Sequence, residues 1–333
     1  MPKDKKKVLK VRPIPVPLGN KHPEPTFEEL PRHEFTMGII APKGSGKTTL
    51  IANLLHAYKG YFHNIIIFSP TVKNDDKWDW VKDQKLLAYN KKLKEFVEKI
   101  KIKQEKHNPV VEPSKPEVPD IEFPDEDEFD GKIPENHFYD DYSEHDLMEI
   151  LNEQQKVVEF LKQYNKSKHL ANRILFIFDD MVGSNLFSNN RQNAFKMLNT
   201  NHRHKSASLI MVSQAFKEIP KTIRTQFSAL IAFEILSEAE IKALYEEFPM
   251  GLKFNDWLQV YNYCVSGDFN FLYYNMQIKE KRLRIMKCFD EHVFIENAPA
   301  EENTKKRQLE SDASSSQSSE SQAESQRASK RQK

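Results

Sequence analysis

Cysteine is nearly absent: Cys264 and Cys288 are the only two in 333 residues, far apart and without metal-ligating neighbours. That excludes a disulfide framework and a thiolate metal cluster, and it suits two reduced thiols inside a cell. Long apolar runs are missing too. No stretch approaches the length of a membrane span, and the N-terminus has no apolar signal-peptide core. The expectation is a soluble, intracellular chain with no membrane partner. Net charge is almost nil: 50 basic residues face 49 acidic ones, formally +1. Proteins that coat nucleic acid carry a basic excess, so any DNA contact here is expected as a local patch. Glycine is scarce, nine in all, yet two fall in one short loop.

That loop is Ala41-Pro42-Lys43-Gly44-Ser45-Gly46-Lys47-Thr48-Thr49. An apolar run, Met37 to Ile40, precedes it and a helix-compatible run, Leu50 to Tyr58, follows. Strand, glycine-containing loop and Gly-Lys-Thr at a helix start together fit the phosphate-binding P-loop, with Ala41 in place of the first glycine. Backbone N–H groups and the positive helix end surround the phosphates of ATP. Lys47 is expected on the β- and γ-phosphates, and the Thr48 hydroxyl on Mg²⁺. Gly44 and Gly46 allow conformations and close approach that a Cβ obstructs.

Five short apolar runs read as buried parallel strands: 36–40, 65–69, 174–179, 208–214 and 230–235. Helical segments between them, such as 50–58 and 143–164, with a further helix at 238–248 after the last, predict α/β architecture with helices flanking a mainly parallel sheet. Residues 1–34 are lysine-rich, then proline-rich, and predict a disordered arm before a domain at 35–296. An insertion at about 82–140 interrupts that domain. It comprises a charged helix over 82–106 and a largely unfolded acidic linker over 108–134, which contains Asp125-Glu126-Asp127-Glu128. Segments 256–265 and 269–277, around Ser266-Gly267-Asp268, predict a C-terminal β-hairpin. Residues 297–333 read as a disordered charged tail, with basic clusters at 305–307 and 330–333 like those of nuclear import.

The second half of an ATPase site follows from Ile174-Leu175-Phe176-Ile177-Phe178-Asp179-Asp180. An apolar strand that ends in two acids delivers carboxylates to the sheet edge where ligands bind. Asp179 is expected on Mg²⁺, opposite Thr48, and Asp180 beside the attacking water. The run Ser208 to Gln214 ends another strand in an amide, which can bond both the γ-phosphate and that water. Transition-state charge calls for an arginine, often from a neighbouring subunit; Arg203 and Arg224 are both candidates. Lys217, Lys221 and the N-terminal lysines are candidates for sequence-independent contact with DNA phosphates.

Taken together, these pieces resemble the FtsK–HerA superfamily of P-loop ATPases. More narrowly they resemble the poxvirus-type genome-packaging ATPases of large DNA viruses, virophages and Polinton/Maverick elements. The residues that carry the resemblance are 41–49; 65–71 with Asp76 and Trp78; 174–180; 201–204; Ser208 to Gln214; and Ile219 to Arg224. The resemblance implies a RecA-like sheet in which the Gln214 strand lies between the P-loop and acid strands. It also implies a ring of copies, often six, that pulls double-stranded DNA through its centre, with capsid protein as a further partner. The wider superfamily often has Glu where this chain has Asp180, so the shorter arm sets the water differently. The leading reading is an ATP-driven DNA translocase that packages a viral or virus-like genome, working in a cytoplasmic factory or the nucleus and associated with the virion. A DNA helicase or transfer ATPase of the same superfamily is the second reading. A nucleotide-switched, capsid-binding scaffold is the third.

Overall fold

β1 (Thr36–Ile40) is buried along its whole length and forms the middle of a nine-stranded sheet. A computed structural model describes residues 22–106, 118–121, 123–164, 170–187 and 193–294. The tail at 297–333, the first 21 residues and positions 107–117 lie outside them.

In chain order the elements after β1 are α1 (Lys47–Ala57), β2 (Asn64–Phe68), α2 (Asp76–Asp83) and α3 (Lys91–Lys106). Next come β3 (Phe138–Tyr139), α4 (Glu144–Tyr164), β4 (Ile174–Asp179), α5 (Ala194–Asn201) and β5 (Ala207–Ser213). The chain continues through α6 (Lys221–Arg224), β6 (Ala229–Ala232), α7 (Glu238–Glu247), α8 (Phe254–Val265), β7 (Leu272–Asn275), β8 (Ile285–Lys287) and β9 (Glu291–His292). The strand order is β3-β2-β4-β5-β1-β6-β7-β8-β9. All pairings from β3 to β6 are parallel; β7, β8 and β9 add on antiparallel. β5 therefore lies between the P-loop strand β1 and the acid strand β4, as the resemblance implies. Among the described residues no helix is long and apolar enough to cross a membrane.

Alternation of side chains sends each strand's residues into two different layers. Leu175 and Ile177 of β4 join a core with Leu50, Ile51, Leu54 and Leu55 of α1 and Trp78 of α2. Phe178, on the opposite face, meets Phe195 of α5 with ring centroids 4.9 Å apart. Each such aliphatic or aromatic side chain contributes about 1.5–3 kcal/mol by leaving water. In β1 the ring of Phe227 fills the space where a Cβ at Gly38 would stand, 2.2 Å from Cε2. Alanine there would force the ring or the strand to move.

The structure corrects four expectations. The segment 256–265 is helix α8, not a hairpin strand. Trp257, Val260, Tyr261, Cys264 and Val265 are buried at i, i+3, i+4, i+7 and i+8, a helical stripe rather than a period of two. A C-terminal hairpin exists, but β7 and β8 form it. The second correction concerns the arm: in its described part, 22–34, Pro25, Leu30, Pro31 and His33 are buried. Tyr58, Tyr61 and Tyr273 donate from their hydroxyls to the carbonyls of Pro31, Pro23 and Glu29, each at 2.7 Å. Third, the helix expected over 82–106 is shorter: α3 begins only at Lys91, and 84–90 is non-helical chain after the end of α2.

Fourth, the described part of the acidic linker is folded. Val118, Ile121 and Phe123 pack on a cluster formed by Leu93 and Val97 of α3 with Val157, Phe160 and Leu161 of α4. Lys94 pairs with Asp125 at 3.0 Å and Lys91 with Glu126 at 2.6 Å, which ties the first half of the acidic run to α3. Its far end is pinned by buried Ile133 and by a bridge between Lys85 and Lys132.

Candidate active site

Parallel pairing puts the C-terminal ends of β1, β4 and β5 side by side. Ile40 is level with Ser213, and Asp179 with Val212. Two bonds continue the ladders past the strand ends. The Ala41 N–H donates to Ser213 O at 2.9 Å, and the Asp180 N–H to Val212 O at 3.1 Å. The loop 41–49, the two acids and Gln214 thus leave the sheet at one edge.

In the loop, Ser45 Oγ donates to Pro42 O at 2.7 Å and closes a turn. Gly44 and Gly46 have φ of +85° and +89°, a left-handed conformation open to glycine at little cost. Gly46 is the N-cap of α1, so no side chain caps the helix, and no acidic residue lies in its first turn. The first N–H groups of α1, with the positive end of its dipole, are left for an anion.

Lys47 Nζ lies 3.2 Å from Asp179 Oδ1 and 3.2 Å from Asp180 Oδ2. Gln214 Nε2 donates to Asp180 Oδ2 at 2.6 Å. The structure therefore brings together Lys47, Asp179, Asp180 and Gln214, which are 34 to 167 positions apart in the chain except for the adjacent acids. Asp180 holds a left-handed backbone, φ 56°, uncommon for a residue with a Cβ. That turn lets two successive carboxylates face the same lysine.

Asp179 is 1% exposed. Burial pushes its carboxyl above the usual range, against the pull of Lys47 and of the Ser69 hydroxyl. Oδ2 accepts from Ser69 Oγ at 2.9 Å, whereas Oδ1 has the Lys47 charge nearby but no hydrogen-bond donor. A buried carboxylate oxygen with no donor is the chemistry of a cation ligand. The buried Thr48, one step beyond Lys47, adds a hydroxyl on the same helix turn. This donor set of carboxylate and hydroxyl oxygens fits Mg²⁺.

Sequence reasoning gave no role to the network behind Asp179, although its residues carried part of the resemblance. The Trp78 indole can only donate, and it donates to Thr71 Oγ1 at 3.1 Å. Thr71 Oγ1 lies 3.0 Å from Ser69 Oγ. Because Ser69 gives its hydrogen to Asp179, Thr71 must give its own to Ser69. The relay runs one way, from indole to carboxylate, and fixes which oxygen of Asp179 stays without a donor. Ser69-Pro70-Thr71 immediately after an apolar strand was the available signal.

The two arginines part company. Arg224 is 7% exposed, pairs with Glu247 at 2.8 Å, donates to Phe216 O at 3.2 Å and lies over the Phe216 ring. It ties α6 to α7, and the finger role expected of it does not fit a guanidinium held this way. Arg203 is exposed and sits in the turn before β5, at the opposite edge of the sheet from its own P-loop. The length of β5 separates it from that site.

The sequence profile of the family described as "Poxvirus A32 protein" matches residues 24–117 and 123–294. No curated protein sequence resembles the chain closely enough to count as a match. Among solved structures, the chain is similar to the genome packaging NTPase B204 from Sulfolobus turreted icosahedral virus 2 in complex with AMP. Identity is 12% over 79% of this chain and 98% of that one, with TM-score 0.42. B204 described as the DNA-packaging ATPase from Sulfolobus turreted icosahedral virus gives 14%, 73%, 93% and 0.42 for the same quantities. The cytoplasmic domain of the Thermomonospora curvata type VII secretion ATPase EccC gives 12%, 72%, 24% and 0.40. Likeness at this level carries no chemistry from those proteins to this one.

Proposed function

The chain belongs to the poxvirus A32 protein family, and we propose that this genome-packaging ATPase moves duplex DNA, whatever its sequence, into a viral or virus-like capsid. The observation that carries the reading is the meeting of Lys47, Asp179, Asp180 and Gln214 at one sheet edge beside an uncapped helix N-terminus.

In this reading the loop 41–49 seats the phosphates of ATP on backbone N–H groups, and Lys47 reaches the β- and γ-phosphates. Lys47 exchanges its contacts with Asp179 and Asp180 for phosphate oxygens, which frees both carboxylates. Thr48 and Asp179 Oδ1 would hold Mg²⁺. That ion supplies charge neutralisation at the β- and γ-phosphate oxygens. Asp180 orients and polarises the attacking water. Gln214, already bonded to Asp180, senses the γ-phosphate and passes its loss into the loop that follows. Ser213 Oγ donates to Glu218 Oε2 at 2.7 Å and so ties the strand end to that loop.

Lys217 and Lys221 are exposed just beyond Gln214, where a change at the amide reaches them directly. They contact DNA phosphates by charge alone, a mode that tolerates any sequence. Arg203 completes the site of a neighbouring copy, which makes the working unit a ring, six subunits in the form the family resemblance implies. The machine acts where genome and capsid meet, in a cytoplasmic factory or the nucleus.

The test is ATP turnover with and without duplex DNA, alongside capsid assembly with the Lys47→Ala chain. Duplex-stimulated turnover and empty capsids with Lys47→Ala are the expected results. Turnover indifferent to DNA at every concentration would favour a switched scaffold, and unwinding of forked DNA a helicase.

A further inference from the structure

The segment between α8 and β7 carries an aromatic ring out to the phosphate loop. A Cβ built at Gly46 would stand 3.2 Å from Phe269 Cδ1, and the atoms nearest to it all belong to that ring. Phe269 is nevertheless 69% exposed. We propose that Phe269 is the platform on which the base of the bound nucleotide stacks. The proposal rests on the reading of 41–49 as the phosphate loop.

Three observations carry it. The first is position. The ribose is the only spacer between phosphate and base, so the base of a nucleotide seated on this loop falls on the surface beside the start of α1. Phe269 occupies that surface and leaves most of its ring facing outward. The second is that the ring is held there at a cost. Phe269 has φ of +60°, an outlier for a bulky residue, and such strain collects at ligand clamps.

The third is that the segment is braced from below. Asn270 Nδ2 donates to Ser266 O, Lys287 Nζ to Ser266 Oγ at 3.0 Å, and Cys288 Sγ to Asn270 Oδ1 at 3.4 Å. Phe271, two residues on, is buried against Phe289 and Phe233. None of these braces uses the Phe269 ring. Its free face suits a flat π-system, and a base bound to the phosphate site is the flat π-system that the loop itself delivers.

The experiment measures binding of ATP, ADP and inorganic tripolyphosphate to the full chain by calorimetry. Phe269→Ala should weaken ATP and ADP about five- to 150-fold, the span of base–aromatic stacking, and leave tripolyphosphate unchanged. Phe269→Tyr should keep the affinity. The fluorescence of Phe269→Trp should change with ADP and not with tripolyphosphate. Unaltered ATP affinity in Phe269→Ala overturns the proposal. So does an equal loss for ATP and tripolyphosphate, which makes the ring a prop for the loop, or a loss of self-association alone, which makes it a contact with a neighbouring copy. A wild-type chain that binds neither ATP nor tripolyphosphate overturns the phosphate-loop reading and the platform with it.

Discussion

The two edges of the central sheet handle polar side chains in opposite ways. At the N-terminal edge, two histidines are hydrogen-bonded and held neutral by burial. Ser208 Oγ accepts the Glu34 N–H at 3.0 Å, so its own hydrogen is free for His33 Nδ1, 2.8 Å away. His33 Nε2 lies 3.1 Å from Ser206 Oγ, and burial holds this ring's pKa well below the usual value. His63 Nδ1 accepts the Arg173 N–H at 2.9 Å, and burial with the Arg173 charge lowers its pKa to about 3. Gln154 gives its amide to the carbonyls of Asn172 and Lys205. At the C-terminal edge, Asp179 is as buried as His33 and is left with an oxygen that has no donor. One edge buries neutral histidines in hydrogen-bonded pairs; the other gathers two carboxylates around a lysine.

The comparison breaks if a substitution at one edge behaves like one at the other. The largest effect is expected from Asp179→Asn. Losing the carboxylate that would hold Mg²⁺ should cut ATP turnover by at least about a hundredfold. Its pKa is raised, so the fold penalises the charged form; neutralising it should leave the melting temperature unchanged or higher. Turnover and differential scanning fluorimetry together check this, and a large fall in melting temperature would contradict it. Next comes Arg224→Ala, which leaves Glu247 buried without its partner and should cost about 3–5 kcal/mol of stability. Arg203→Ala should leave stability alone and lower turnover only if copies assemble as proposed. Urea denaturation separates the pair.

The third expectation concerns pH. His33 and His63 have lowered folded pKa values, so their contribution to stability is complete above about pH 6.5 and is lost as pH falls. For His63 the loss should continue down to about pH 3, at about 1.4 kcal/mol per pH unit. His63→Gln should flatten that slope in denaturation measured from pH 7 to pH 4. The smallest effect is expected from Trp78→Phe, which removes one N–H from the relay behind Asp179. It should weaken Mg²⁺-dependent nucleotide binding up to about tenfold while ATP binding without the metal stays as it was.

How much of this was legible in the sequence follows from chain distance. The loop 41–49, the strand ending in Asp179 and Asp180, and the strand ending in Gln214 are each local patterns, and four of the five expected parallel strands fall within a residue or so of place at both ends. The fifth, β6, stops at Ala232 rather than at Ile235. What the sequence left open depends on contacts between distant segments. The relay from Trp78 to Asp179 joins residues about a hundred positions apart. Arg224 reads as a surface arginine until Glu247 and the Phe216 ring close over it. The acidic run at 125–128 reads as unfolded because its partners, Lys91 and Lys94, lie on α3, 35 and 31 positions earlier. Segment 256–265 misled for a different reason: its aromatics fit a period of two nearly as well as the helical stripe that buries Trp257 and Tyr261.

The central claim is that hydrolysis at Lys47, Asp179 and Asp180 moves intact duplex DNA. Displacement of a third strand from a triplex tests it most directly, with the duplex strands labelled so that their separation is visible. With ATP the wild-type chain should displace the third strand and leave the duplex paired, and Lys47→Ala should do neither. Hydrolysis without displacement, or separation of the duplex itself, would contradict the claim.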